Sequence, residues 1–311
     1  MKRLAAIGLL GLGLLLSPSE SQAAYWHPGN NAWVDFDVGG GQFCGWRGLP
    51  PVGLQCTTDI PLNSLPPYPY QPPVEAKIVA LDQQGRIYVV GTDNVIYWQY
   101  GNRFQKYDFQ PPPALYCISK LVVSQGSSVK DQTMLVKGCD ANKTTLWGHR
   151  GAWTLVGYNA RDISKSSSAT LDSLSYLGPT GSLSTALLET PGRVNWSTLG
   201  GQDHYWTFGG VTGGPAPATK IGGTNFFLNS FSTCHNDSSF SPPGQFGSVY
   251  VAGKLFRDTS GGGCDYLVLP TGSFDFGSGS MVQKMVSTYG GPGGASMWIL
   301  TNVTRVYAYA N

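Results

Sequence analysis

Four carboxylates, Glu75, Asp82, Asp172 and Glu189, fall near predicted strand ends. Cleavage of a glycosidic bond needs two such groups facing each other, one to protonate the leaving oxygen and one to act as base or nucleophile. None of the four sits in a distinctive motif, and Asp82 and Asp172 serve equally well as turn residues whose side chains cap the backbone. The four histidines are His27, His149, His204 and His235. No G-x-S-x-G elbow accompanies them, and His149 and His204 are expected on the surface at strand ends. The cysteines lack C-x-x-C spacing and the histidines lack H-x-x-x-H spacing, so zinc is not expected. The acidic loop of an EF-hand is also missing. The sequence therefore assigns no catalytic residue, no metal and no cofactor.

Aromatic residues recur with more regularity. Trp98, Trp147, Trp196 and Trp298 fall in inner positions of predicted strand groups, and Trp33, Trp153 and Trp206 in the last strand of such groups. Large flat side chains of this kind fill the space between packed sheets. A subset flanked by amides and charges would instead form shallow pockets, with sugar C–H faces on the indoles and polar groups holding the hydroxyls. Trp98, Asn102 and Arg103, and then Trp147, His149 and Arg150, occupy corresponding places in two successive groups, as a repeated binding site should.

The elements that would carry these residues are short strands. Ile78 to Leu81, Arg86 to Val90, Val95 to Tyr100 and Phe104 to Phe109 are separated by the turns Asp82–Gly85, Gly91–Asn94 and Gly101–Asn102, which is the pattern of an antiparallel meander. A second unit runs from Leu121 to Tyr158, a third from Leu171 to Gly209, and a fourth, less regular, from Thr224 to Leu269. A fifth, from Met281 to Tyr309, has only three strands. The N-terminal segment Asn31–Asp37 resembles the fourth strands of other units and would complete it. Units of roughly 40 to 50 residues with four strands each predict an all-β fold, a five-bladed β-propeller closed by an N-terminal strand within residues 24–37. A β-sandwich or a pair of smaller β domains is the alternative. Residues 38–73 read as a disulfide-stapled extension without strands, and the remaining blades occupy residues 74–311. Pro-rich lead-ins recur at Gln71-Pro72-Pro73 and Gln110-Pro111-Pro112.

The stretch Gly91-Thr92-Asp93-Asn94-Val95-Ile96-Tyr97-Trp98, followed by Gly101-Asn102-Arg103-Phe104, resembles tectonin-type propeller repeats. The likeness spans one unit well and two others faintly. It implies a lectin-like protein, since many of that family are secreted or surface lectins.

Residues 1–23 follow a secretory signal, with Lys2 and Arg3 before an apolar run from Leu4 to Leu16 and small residues at Ser21-Gln22-Ala23. The run is too short to span a bilayer, which takes about 20 residues, so a secreted or periplasmic protein with no membrane insertion is expected. Six cysteines suit an oxidising compartment. Many pairings are open, and the strand units favour Cys44 with Cys56, Cys117 with Cys139, and Cys234 with Cys264. Four N-x-S/T sequons occur, at Asn142, Asn195, Asn236 and Asn302, and are expected to be bare in a bacterial protein. A formal charge of +2 without a basic run leaves nothing to bind phosphates, so no nucleic acid partner is expected. The reading is a binding protein for a glycan or cell-surface ligand. A glycoside hydrolase or lyase with carboxylates in a central funnel, and an exported protein–protein adaptor, are the alternatives.

Overall fold

The computed structural model describes residues 25–28, 32–60, 65–124, 132–140, 144–165, 173–177, 183–190, 193–197, 218–222, 248–251, 254–258, 264–267, 282–287, 291–292, 295–302 and 304–310. All regular elements among them are strands, except that Pro292 lies in a turn of 3-10 helix. The chain opens with β1 (Tyr25–Pro28), then β2 (Trp33–Gly39), β3 (Gln42–Arg47) and β4 (Gly53–Thr57). The next unit is β5 (Ala76–Leu81), β6 (Ile87–Gly91), β7 (Ile96–Tyr100) and β8 (Arg103–Lys106). It is followed by β9 (Ile118–Val123), β10 (Met134–Gly138), β11 (Thr145–His149) and β12 (Trp153–Tyr158). Then come β13 (Asp162–Lys165), β14 (Ser173–Leu177), β15 (Leu183–Thr190) and β16 (Arg193–Ser197). After these lie β17 (Ala218–Gly222), β18 (Ser248–Val251), β19 (Lys254–Asp258) and β20 (Cys264–Leu267). The last strands are β21 (Val282–Ser287), β22 (Ala295–Thr301) and β23 (Val306–Ala310).

These strands form six antiparallel sheets, five of four strands and one of three; five are meanders in sequence order, and in the sixth the meander β21–β23 is joined at its edge by β1. The protein is thus all-β, built of successive antiparallel four-stranded sheets. The first strands β2, β5, β9, β13, β17 and β21 lie beside one another in that order.

Hydrophobic alternation explains the packing between sheets. In β6, Tyr88 and Val90 join a core shared with Leu121, Val123, Met134 and Val136 of the following sheet. Ile87 and Val89 face the other way, into a core with Trp46 and Leu54 of the preceding sheet. Both faces are buried, so the strand reads as a continuous apolar run instead of alternating with polar residues. The sheet β2–β4 packs in turn on the last sheet, Phe43 lying 5.2 Å from Trp298 and 5.2 Å from Trp33 between ring centroids.

The structure corrects the reading of the N-terminal region in two places. Residues 24–37 are not one closing strand. Tyr25–Pro28 pairs with β23, in the register Tyr25 to Ala310, whereas Trp33–Gly39 opens a separate sheet with β3 and β4. Nor are residues 38–73 an extension without strands, because β3 and β4 occupy much of their first half. This sheet is a further repeat with a vestigial fourth strand, marked by the bridge from Gln55 to Pro67. Six sheets therefore stand where five blades were expected.

A shared device supports that equivalence. The Leu54 N–H donates to Gln71 Oε1 at 2.9 Å, and Gln71 Nε2 donates to the carbonyls of Leu54 at 3.1 Å and Tyr68 at 2.6 Å. One unit later, the Ile96 N–H donates to Gln110 Oε1 at 2.9 Å, and Gln110 Nε2 donates to the carbonyls of Ile96 at 2.8 Å and Tyr107 at 2.7 Å. In both cases a glutamine amide, held in place by the Pro-Pro that follows it, imitates a strand residue where the fourth strand has left the ladder.

The other boundary corrections lie further along. The third unit was expected to begin at Leu171, yet Asp162–Lys165 forms its first strand. The fourth opens at Ala218–Gly222, and the expected strands His204 to Gly209 and Thr224 to Phe231 lie outside the described residues. Two of the expected disulfides are present. Cys44–Cys56 joins directly opposed residues of β3 and β4, and Cys117–Cys139 joins the segment entering β9 to the end of β10. Cys234 lies outside the described residues, as do residues 1–23. No helix among the described residues is long and apolar enough to cross a membrane.

Replacing Gln110 by Leu removes the partner of the Ile96 N–H and of the Tyr107 carbonyl, while the Ile96 carbonyl keeps the Tyr107 N–H at 2.8 Å, and chemical denaturation is expected to show a loss of about 1–3 kcal/mol. Gln71→Leu should cost a comparable amount if the two units are equivalent. A loss confined to one of them would contradict the repeat.

Candidate functional site

The carboxylates beside the first strands decide whether a hydrolytic centre could lie among them. β5 is the edge strand of its sheet, so alternate backbone groups on its open side lack a ladder partner. Asp35 and Asp37, two residues apart on β2 and so on one face, supply acceptors to that edge. Asp35 Oδ2 accepts from the Val79 N–H at 2.8 Å and Asp37 Oδ2 from the Leu81 N–H at 2.7 Å. Lysines from two further strands complete the arrangement. Lys284 of β21 donates to both Asp35 oxygens, at 2.9 and 2.8 Å, and to the Val79 carbonyl at 3.2 Å. Lys165 of β13 pairs with Asp37 at 2.5 Å and donates to the Leu81 carbonyl. Lys120 of β9 pairs with Asp162 of β13 at 2.7 Å.

All four residues around β5 are buried. Burial raises the pKa of Asp35, opposed by the Lys284 charge and hydrogen bonds, and burial lowers that of Lys165, opposed chiefly by Asp37. These carboxylates are thus occupied as structural acceptors. The candidates from sequence lie elsewhere. Asp82 is buried, accepts from the Gln84 and Arg86 N–H groups at 2.9 Å each, and pairs with Arg86 at 2.6 Å, which makes it a turn cap. Glu75 is exposed. Asp172 lies outside the described residues, as does the side chain of Glu189.

The aromatic candidates separate by location. Trp98 is buried in the core between two sheets, 6.4 Å from the ring of Tyr88, while Asn102 and Arg103 are exposed on the β7–β8 turn. His149 is not a surface residue. It is buried among Trp153, Phe109 and Tyr107 at 4.9, 5.5 and 6.0 Å between ring centroids. Its Nδ1–H donates to the Gln132 carbonyl at 3.0 Å, leaving Nε2 buried without a partner. Arg150 follows it in the half-buried β11–β12 turn.

Trp147 has a different setting. It lines a cleft of about 360 Å³ on the sheet β9–β12. Tyr116 from the β9 lead-in, 68% exposed, and Leu155 and Tyr158 from β12, 38% and 45% exposed, supply the other large side chains. Cross-strand register places Leu155 opposite Trp147 and Tyr158 opposite Thr145, with a bulge between Leu146 and Trp147 that turns the indole. The Trp147 indole nitrogen is buried and unpartnered, so the part of the ring that meets the cleft is hydrocarbon. Asp140 and the Cys117–Cys139 disulfide complete the wall. A Cβ on Gly138 would meet Thr145 Oγ1 at 2.8 Å, so the floor needs glycine there. Tyr116, Leu155 and Tyr158 were not singled out from sequence. Tyr116 follows Pro-Pro-Pro-Ala-Leu, and an exposed aromatic beside a cysteine was the one signal available.

No protein-family model matches the chain, and no curated protein matches it. Solved structures similar to it include YCF48 bound to a D1 peptide, at 13% identity and a TM-score of 0.47 over 94% of this chain and 96% of that one. A gluconolactonase from Xanthomonas campestris is 10% identical with a TM-score of 0.43, over 93% and 86% of the two chains. The fucose-recognising lectin of Aleuria aurantia, a six-bladed β-propeller, is 13% identical with a TM-score of 0.34, over 81% and 97%.

Two outcomes follow. Asp37→Ala leaves Lys165 and the Leu81 N–H without their acceptor in the interior, and denaturation should show a loss of about 3–5 kcal/mol; a loss near that of a surface substitution would refute the role given to the pair. Burial holds the His149 pKa below its ordinary value, the Gln132 hydrogen bond opposing in part. The unfolded chain then binds the proton more tightly, so stability is full above about pH 6.5 and declines as pH falls below it. Melting temperatures between about pH 7.5 and 5 should fall less steeply for His149→Gln than for the unaltered protein.

Proposed function

We propose that the six sheets stand as blades around one axis, with β1 completing the last blade, and that the protein is exported to bind a glycan or other cell-surface ligand. The Tyr116–Trp147–Tyr158 cleft is the site. The observation that carries this reading is the cleft itself. It is an open groove large enough for one or two sugar rings, with a hydrocarbon indole face and two exposed tyrosines. Aromatic side chains gathered around a concave groove with polar groups at its rim are the usual lining of a small-ligand site. The hydroxyls of Tyr116, Tyr158 and Thr145 and the Asp140 carboxylate supply donors and acceptors around the apolar floor, the combination that fixes an amphipathic ligand.

Export is supported by the leader pattern of residues 1–23 and by two disulfides, which suit an oxidising, extracytoplasmic environment. Trp147 is the one sequence candidate kept at the centre of the site. Trp98 contributes packing, and Asn102, Arg103 and Arg150 lie at blade-edge turns where they could extend a second contact region.

The test is a glycan array probed with the full-length oxidised protein, with reducing-end release followed in the same samples. Saturable binding without release is expected, weakened by about tenfold or more, ~1.4 kcal/mol, in Trp147→Ala and in Tyr158→Ala. Sugar release would replace the binding reading with a hydrolytic one. Binding that both variants leave untouched would remove the cleft from consideration.

A further inference from the structure

The two described disulfides have opposite surroundings. Cys44 is fully buried and Cys56 half-buried, their bond lies across directly opposed residues of a continuous ladder, and Tyr68 and Tyr70 pack against the same core cluster. Cys139 is exposed and Cys117 half-buried, and both line the aromatic cleft. Their bond also lies beyond the end of the β9–β10 ladder, which finishes at the irregular pair of Gly138 with Ile118. Past that point the bond carries the connection between two walls of the cleft, residues 114–117 on one side and 138–140 on the other.

Tyr116 depends on that connection. Leu115 on one side of it is buried in the core, and Cys117 on the other is tied to Cys139. Noncovalent support next to the segment includes a turn from the Leu115 N–H to the Pro112 carbonyl at 2.8 Å, a long bond from the Ile118 N–H to Asn94 Oδ1 at 3.3 Å, and the Ser119 hydroxyl donating to the Gly138 carbonyl at 2.7 Å. Removing the disulfide leaves Tyr116 held only by the burial of Leu115 before it and of Ile118 at the start of the ladder after it, with Cys117 between them untied from Cys139. The sheet beneath keeps its ladder.

Building on the cleft as the ligand site, we propose that the Cys117–Cys139 disulfide gates it: ligand is held while the bond is intact and released when a dithiol reduces it. The exposed Cys139 sulfur is where a dithiol thiolate can attack, forming a mixed disulfide and expelling Cys117 as thiolate. The second thiol of the reductant then displaces Cys139. Two electrons pass from the dithiol, which leaves as a cyclic disulfide, and two protein thiols remain. Cys44–Cys56, with one cysteine fully buried and the other half-buried within a continuous ladder, is reduced more slowly under the same exposure.

The experiment runs the same glycan array on oxidised and on dithiothreitol-treated full-length protein. Free thiols are alkylated and mapped by peptide mass, and amide hydrogen exchange is followed across residues 110–117. Mild reduction should label Cys117 and Cys139 before Cys44 and Cys56, raise exchange in that segment, leave far-ultraviolet dichroism unchanged, and lower glycan signal by about tenfold. The Cys117→Ser/Cys139→Ser variant should reproduce the loss without reductant, and reoxidation should restore binding only to the unaltered protein. Equal glycan signal from oxidised protein and from protein shown to carry free Cys117 and Cys139 would overturn the gate while leaving the binding reading intact. An array silent even with oxidised protein would overturn the binding reading. In that event unchanged exchange in residues 110–117 after reduction would independently sink the gate.

Discussion

The open edge of β5 is the constraint around which the first strands are organised. Its Val79 and Leu81 amides and carbonyls face away from β6, and a buried backbone group without a partner costs as much as a lost hydrogen bond or more. Bulk water does not serve there, because Val79 and Leu81 have no solvent exposure. The protein answers with side chains. Asp35 and Asp37 accept from the two amides, while Lys284 and Lys165 donate to the two carbonyls and neutralise the carboxylates. Each charge is thereby paired and hydrogen-bonded, the condition under which buried ions are tolerated. The four side chains come from β2, β13 and β21, so a local backbone requirement ties together segments 128 and 249 residues apart.

The same principle operates at the outer side of the sheets. Gln71 and Gln110 serve Leu54 and Ile96 where the fourth strand ends, again by side-chain groups arranged like a backbone. Sheets with little edge exposure can then pack face to face, and their tryptophans are drawn into those interfaces. Trp33, Trp98 and Trp298 are all buried. Trp147 sits at the margin, where the β11–β12 bulge and the disulfide-bound lead-in hold a groove open. The cleft is packing surface left uncovered.

Legibility in the sequence followed the range of the forces involved. The turns at Asp82–Gly85 and Gly91–Asn94 were read correctly because their causes are local. Asp82 caps its own turn, and Gly85 and Asn94 take the positive φ that those residue types tolerate. Asp162-Ile-Ser-Lys165 was passed over as a strand, since half of its residues are charged and nothing nearby says they are buried. Its lysine and aspartate become acceptable inside only because Asp37 and Lys120 meet them there. His149 was placed on the surface for a similar reason, as an imidazole next to an arginine turn, although distant aromatics enclose it.

By itself the sequence determined the strand class, the meander of tight turns and the recurrence of aromatics, all consequences of backbone preference and spacing over a few residues, and it favoured without fixing the two neighbouring cysteine pairs that the structure contains. Tertiary structure decided that residues 33–57 form a sheet, which aspartates and lysines are buried, and which tryptophan meets solvent. Those outcomes depend on what lies across the interface, and the partners come from segments whose spacing along the chain carries no record of the encounter.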